Sequence, residues 1–239
     1  FSSTFMTFFN VTEPVLRRKQ TALDVQDLCG LLKIKIELGN KQLFSALFTR
    51  IDQVLLLWSA IALLIFSSGQ FLPVSWLTQA YLSSLLTVAA ITVMILFTRF
   101  WTKVEQLSWV MYFWTGLMLF SLGLTNIGIF GSWGIILIHL CPLWLGSCAC
   151  GYIVTGFGLR SRLFILIGIA HLLGIVILPL IPSLQFLITG FIIAASLILL
   201  SAVQWDMREP IASPVLSEAD QEFNWQQQAF RQKNDCSKF

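Results

Sequence analysis

Six stretches of this chain are apolar for about 20 residues or more, the length of helix that crosses a hydrocarbon core roughly 30 Å thick. They run approximately from Ile51 to Phe71, Trp76 to Phe100, Leu107 to Phe130, Trp133 to Leu159, Leu163 to Ile181 and Leu184 to Gln204. Asp52 and Arg99 lie at the ends of their windows, so no Asp, Glu, Lys or Arg is placed near a bilayer centre. In hydrocarbon each backbone N–H and C=O must find its partner within the segment, which makes each window a helix. The pattern predicts an all-α membrane protein: a bundle of six transmembrane helices over residues 51–204, between an N-terminal segment 1–50 and a C-terminal tail 205–239.

The flanking segments carry shorter patterns. Lys33, Lys35 and Glu37 alternate with Ile34, Ile36 and Leu38, a period of two that predicts a short strand ending at a Gly39-Asn40 turn. Ahead of it, Thr21 and Asp24 have the spacing of a capping box opening a short helix through Leu28. From Lys41 the chain is expected to run as a helix along the membrane interface into the first span. This segment reads either as a solvated surface anchor or as a docking element. In the tail, Ser217 and Asp220 follow Pro210 and Pro214 and predict the cap of one short helix bearing Phe223, Trp225 and Phe230. Aromatic residues in a polar tail point to partner contact; disorder is the competing reading.

Composition agrees with the pattern. With 56% hydrophobic residues, 11% charged residues and a mean hydropathy of +0.80, the chain has more apolar surface than a soluble core could hide. No stretch reads as a cleavable signal peptide, and because the chain begins at Phe1, residues are expected to precede it. The charge is sided. All fifteen Lys and Arg precede or open the first span, follow the second, follow the fourth or follow the sixth, while the connections around Pro73, Asn126 and Pro182 carry no charge. Basic residues are retained in cytoplasmic loops, so both termini are predicted to be cytoplasmic. Nothing in this pattern points to nucleic acid; the expected surroundings are membrane lipid and protein.

Candidate chemistry is sparse. Cys141, Cys148 and Cys150 share one predicted span and Cys29 and Cys236 lie in opposite tails, which excludes a disulfide framework and predicts no metal cluster. No phosphate loop, zinc-protease, hydrolase or dinucleotide motif occurs, so an enzyme is not expected. The intramembrane histidines are His139 and His171. Counted at 1.5 Å per residue from the neighbouring arginines, they differ in depth by roughly 18 Å, too far apart to grip one haem between them. Each remains a candidate pigment ligand, a proton carrier or a hydrogen-bonded packing residue. Pro142 predicts a kink inside the fourth span. Ser147, Gly151 and Gly156 make that span thin and predict close helix packing. Asn126 with Gly123, Gly128, Gly131 and Gly134 predicts a tight outer turn with unusual backbone angles.

At LTNIGIFGSWG (Leu124 to Gly134), HLCPLWLG (His139 to Gly146), GFGLRSR (Gly156 to Arg162) and VQWDMREP (Val203 to Pro210), the membrane portion resembles a family of multi-pass membrane proteins of cyanobacteria to which no active site is assigned. The resemblance implies a cyanobacterial membrane, the thylakoid among them. The leading expectation is a non-catalytic accessory subunit or assembly factor of a larger, photosynthetic membrane complex, with chlorophyll or carotenoid as the cofactor it would hold. A small permease and a haem-binding redox protein are the alternatives.

Overall fold

The computed structural model describes residues 8–9, 14–19, 22–38 and 41–236, of which 35–38, 41–46 and 232–236 are described by backbone alone. In chain order the elements are β1 (Leu16–Arg18), α1 (Val25–Leu28), β2 (Leu32–Leu38), β3 (Lys41–Phe48), α2 (Arg50–Phe71), α3 (Trp76–Val104), α4 (Ser108–Phe130), α5 (Gly134–Leu137), α6 (Leu140–Leu159), α7 (Arg162–Ile177), α8 (Gln185–Ala202), β4 (Val203–Trp205) and α9 (Glu218–Cys236), with two 3-10 turns at Leu178–Leu180 and Pro182–Leu184. Six helices, α2, α3, α4, α6, α7 with its following turn, and α8 with its preceding turn, are long and apolar enough to cross a membrane.

The six pack as a ring with one helix outside it. α2 lies against α8 and α3, α3 against α4, α4 against α6, and α6 against α8, while α7 packs on α6 and α8. Small residues set the close approaches. A Cβ on Gly151 would stand 2.4 Å from the Trp114 ring of α4, one on Gly156 2.6 Å from Ile165 of α7, and one on Gly190 2.6 Å from Phe66 of α2. Hydroxyls and indoles stitch the α4–α6 contact: Ser121 and Ser147 share a hydrogen bond of 2.7 Å, Trp114 Nε1 donates to Thr155, and Trp144 Nε1 donates to Thr125. In hydrocarbon, where no water competes, such small-residue contacts and hydroxyl pairs hold helices together.

The described parts of both tails lie on one face of this bundle, called here the terminal face. β1 pairs antiparallel with β4, Leu16 opposite Trp205 and Arg18 opposite Val203, so the segment before the first span is tied to the one after the last. β2 and β3 form a hairpin with Leu32 opposite Phe48 and a register shift between Ile36 and Glu37. Thr49 then starts α2 with a capping box, its hydroxyl accepting from the Asp52 N–H and its own N–H donating to the Asp52 carboxylate at 2.8 Å.

Several local expectations are corrected. The stretch from Lys41 is strand β3, not an interfacial helix, because pairing with β2 satisfies backbone groups that a lone strand would leave open. The fourth span begins at Leu140 rather than Trp133, and α5 is a separate turn. Pro142 is the third residue of α6, where backbone donors have no intrahelical partner, so it marks a helix start and not a mid-span kink. Asn126, Gly123 and Gly128 lie within α4, and the positive φ of the outer connection falls on Ser132. Asn126 is accommodated in the helix because its amide donates to Ser84 of α3 at 3.0 Å. The sixth span ends at Ala202, Val203 and Gln204 being strand. Thr21 and the Gly39-Asn40 turn lie outside the described residues, and Asp24 at the N-cap of α1 makes no capping bond with its side chain.

Candidate functional site

The terminal face holds a partly open cavity of about 460 Å³ between Lys19 just past β1, α1 and its preceding loop, the hairpin, the ends of α2, α3 and α8, and β4. Its polar lining includes Lys19, Asp24, Gln26, Asp27, Asp52 and Glu105. These residues come from four separate stretches of sequence and meet because β1 pairs with β4 and α9 folds back over α1.

Most of the charges are already matched. Asp24 accepts two hydrogen bonds from the Arg231 guanidinium of α9, at 2.9 and 3.2 Å, and Gln228 accepts from the same group. Lys19 pairs with Asp52 and lies over the Phe48 ring. Gln26 donates to Glu105 Oε1 at 2.9 Å while accepting from Asn224, whose Oδ1 in turn receives the Val25 N–H. Arg208 donates to the Glu105 carbonyl and stands 3.8 Å from Glu105 Oε2, which receives no hydrogen bond. Glu105 is only 3% exposed.

Asp27 is the exception. The Trp101 indole, at 3.1 Å, is its hydrogen-bond partner, and no ion pair reaches it among the described residues. Burial in a crowded acidic neighbourhood, with Asp24 and Glu105 adding repulsion, pushes its carboxyl up to about 7. Burial pushes Glu105 up as well, against the pull of Arg208, and pushes Arg208 down. Burial disfavours the charged form of each partner, and the pair stays open at 3.8 Å.

A second carboxylate has a purely positional role. Asp206, just past β4 and 1% exposed, accepts from Ser161 Oγ, from the backbone N–H groups of Arg162 and Leu163, and from Arg162 Nε. It caps α7 from 44 residues downstream and locks the α6–α7 turn, where Arg160 is left-handed at φ 55°, to the chain leaving α8. Compared with known proteins, the chain matches no family, no curated sequence and no solved structure.

The two histidines are placed differently. In each, Nδ1 faces the carbonyl four residues earlier, Ile135 for His139 and Ile167 for His171. A proton on Nδ1 leaves Nε2 with its lone pair, the tautomer that ligates a metal. His139 is exposed, just before α6, whereas His171 is 0% exposed with its ring 5.0 Å from that of Tyr152 and its Nε2 unpartnered. His171 has no open side for a macrocycle. Ser147 and Gly151 face α4, and Gly156 faces α7. Cys148 is buried and Cys150 exposed, and among the described residues no group of three or more His, Cys, Asp or Glu is arranged to hold a metal ion.

Inside the ring of helices lies an apolar groove of about 170 Å³ bordered by Trp58, Met94, Met118, Tyr152 and Ile193. Pockets for drug-sized ligands start near 300 Å³, so a chlorophyll would not be enclosed there. The sequence reading singled out the histidines and missed Asp27, Glu105 and Asp206. Glu105 directly follows a membrane helix and Asp206 lies two residues from Arg208, whereas Asp27 has no such local signal; the meaning of all three depends on partners far away in the chain.

Proposed function

We propose that this chain is a non-catalytic integral membrane subunit or assembly factor that attaches to a larger membrane protein complex through its terminal face. The supporting observation is the reversed polarity of α9. That helix turns Asn224, Gln228 and Arg231 inward, onto α1 and its preceding loop, and leaves Trp225 45% and Phe230 55% exposed. A helix that folds through its polar side keeps its aromatic side for something else, and aromatic anchors are the commonest high-energy contacts of protein interfaces. The hairpin adds Leu32 and Ile34, also exposed.

The likeness to cyanobacterial membrane proteins at residues 124–134, 139–146, 156–162 and 203–210 supports a thylakoid complex as the setting, and the Lys and Arg of the terminal face support a cytoplasmic side for it. A chlorophyll or carotenoid would sit on the lipid-facing surface, with His139 Nε2 as the accessible axial ligand.

Purification in mild detergent, with identification of co-purifying chains and an absorption spectrum of the same sample, tests the reading. A larger complex is expected from the wild-type chain and its loss from Trp225→Ala with Phe230→Ala. A chain that migrates alone, colourless and monodisperse, would overturn it.

A further inference from the structure

The polar cavity of the terminal face and the apolar groove inside the helix ring are neighbours. Ile51, Trp101 and Trp205 line both. A ligand with a charged end and an apolar end would therefore meet carboxylates on one side of these three residues and hydrocarbon on the other. We infer that the two cavities together bind one amphipathic ammonium ion, its head beside Asp27 and Glu105 and its alkyl chain between the helices. This goes beyond attachment to a complex and does not depend on it.

The sign of the ligand follows from which charges are free to receive it. Asp24 is held by Arg231 and Asp52 by Lys19, but Asp27 carries one indole hydrogen bond, and Glu105 Oε2 carries none although its residue is 97% enclosed. A buried oxygen without a donor is costly, and an ammonium head supplies up to three. The cations nearby are occupied or set back: Lys19 on Asp52, Arg231 on Asp24, Arg208 at 3.8 Å from Glu105, Lys33 at the rim of the cavity, and Arg17 in an adjoining pocket that Asp24, Asp27 and Glu105 also line. An anion would meet Asp27 and Glu105 directly. Two indoles, Trp101 and Trp205, line both cavities, and aromatic faces attract ammonium groups.

The apolar end follows from the groove. Its lining is almost wholly hydrocarbon, and the buried Trp58 Nε1 there lacks a hydrogen-bond partner. A hydrated metal ion would use none of this surface, whereas a short alkyl chain would fill it. The same chemistry occurs in a free alkylamine and in the ethanolamine head of a lipid.

The test is calorimetric titration of the full chain at pH 8, where Asp27 is ionised, in phosphatidylcholine nanodiscs, with empty nanodiscs subtracted. Hexylammonium is expected to bind saturably at one per chain, ethylammonium and hexanol at least about tenfold more weakly, and hexanoate not at all. Asp27→Asn, which keeps an acceptor for the Trp101 indole, is expected to lower hexylammonium affinity by about tenfold or more. Equal binding of hexanol and hexylammonium, no dependence on chain length, or an Asp27→Asn chain that binds like the wild type would overturn the inference. Competition by added phosphatidylethanolamine would support the site with a lipid head as its source, and saturable hexylammonium binding without competition would support it with a free amine.

Discussion

Arg231 and Asp24, 207 residues apart in sequence, form a buried two-pronged ion pair that fastens the last helix to the segment before the first span. Each is 8% exposed, so the pair sits where removing one partner strands the other charge away from water. Arg231→Ala is expected to cost about 3 to 5 kcal/mol and to release α9, read as early proteolysis within residues 218–236 and a lower unfolding temperature in detergent. Arg231→Met combined with Asp24→Leu should recover part of the loss. Unchanged protease resistance of Arg231→Ala would contradict the clasp.

Asp27 makes stability fall as pH rises. Its carboxyl titrates near 3.8 in the unfolded chain and at about 7 when folded, so between those values the folded chain holds a proton that the unfolded chain has released. Stability is fully present below the lower value and is lost progressively until pH passes the upper one. Glu105, raised in the same direction by burial, adds to the trend, while Arg231 and Arg208 oppose it. The unfolding temperature is expected to be higher at pH 5 than at pH 8, and Asp27→Asn should raise the pH 8 value and shrink the difference. A chain at least as stable at pH 8 as at pH 5 would exclude this account.

Asp206 should be the most sensitive side chain in the α6–α7 turn. Alanine there removes four hydrogen bonds and the cap of α7, a loss of roughly 3 kcal/mol, while asparagine keeps part of the geometry and should lose less. Faster amide exchange at residues 161–164 in Asp206→Ala, with little change in α2, is the expected signature.

Gly151 and Gly123 make a matched pair. Alanine at 151 drives a methyl into the Trp114 ring and is expected to cost about 1 to 3 kcal/mol, whereas nothing lies within 4 Å of a Cβ at Gly123, so alanine there should be neutral or mildly stabilising. Equal effects at the two positions would mean that α4 and α6 do not meet as described.

Arg160 belongs to the terminal face, and Val74 and Ser183 to the opposite one. Single cysteines at 74 and 183 in a background without native cysteines are therefore expected to react with a membrane-impermeant reagent from one side, and a cysteine at 160 from the other. Labelling of all three from the same side would break the six-span topology.

The sequence by itself determined the membrane helices, most of their ends and the common side of the tails, because hydrocarbon acts locally: a segment either has enough apolar length and internal hydrogen bonding or it does not. It also marked Ser147, Gly151 and Gly156, since small residues at helical spacing are visible without a partner, although only the packing shows that the first two meet α4 and the third α7. The α6 start at Leu140 was not legible from hydropathy, which does not distinguish a short apolar turn from the helix that follows it. Tertiary structure alone decided that His139 is open and His171 closed, that Asp206 caps a distant helix, and that Asp24 finds Arg231. Those outcomes depend on polar groups brought together from separate stretches of sequence, where the energy lies in desolvation and pairing that no single window contains.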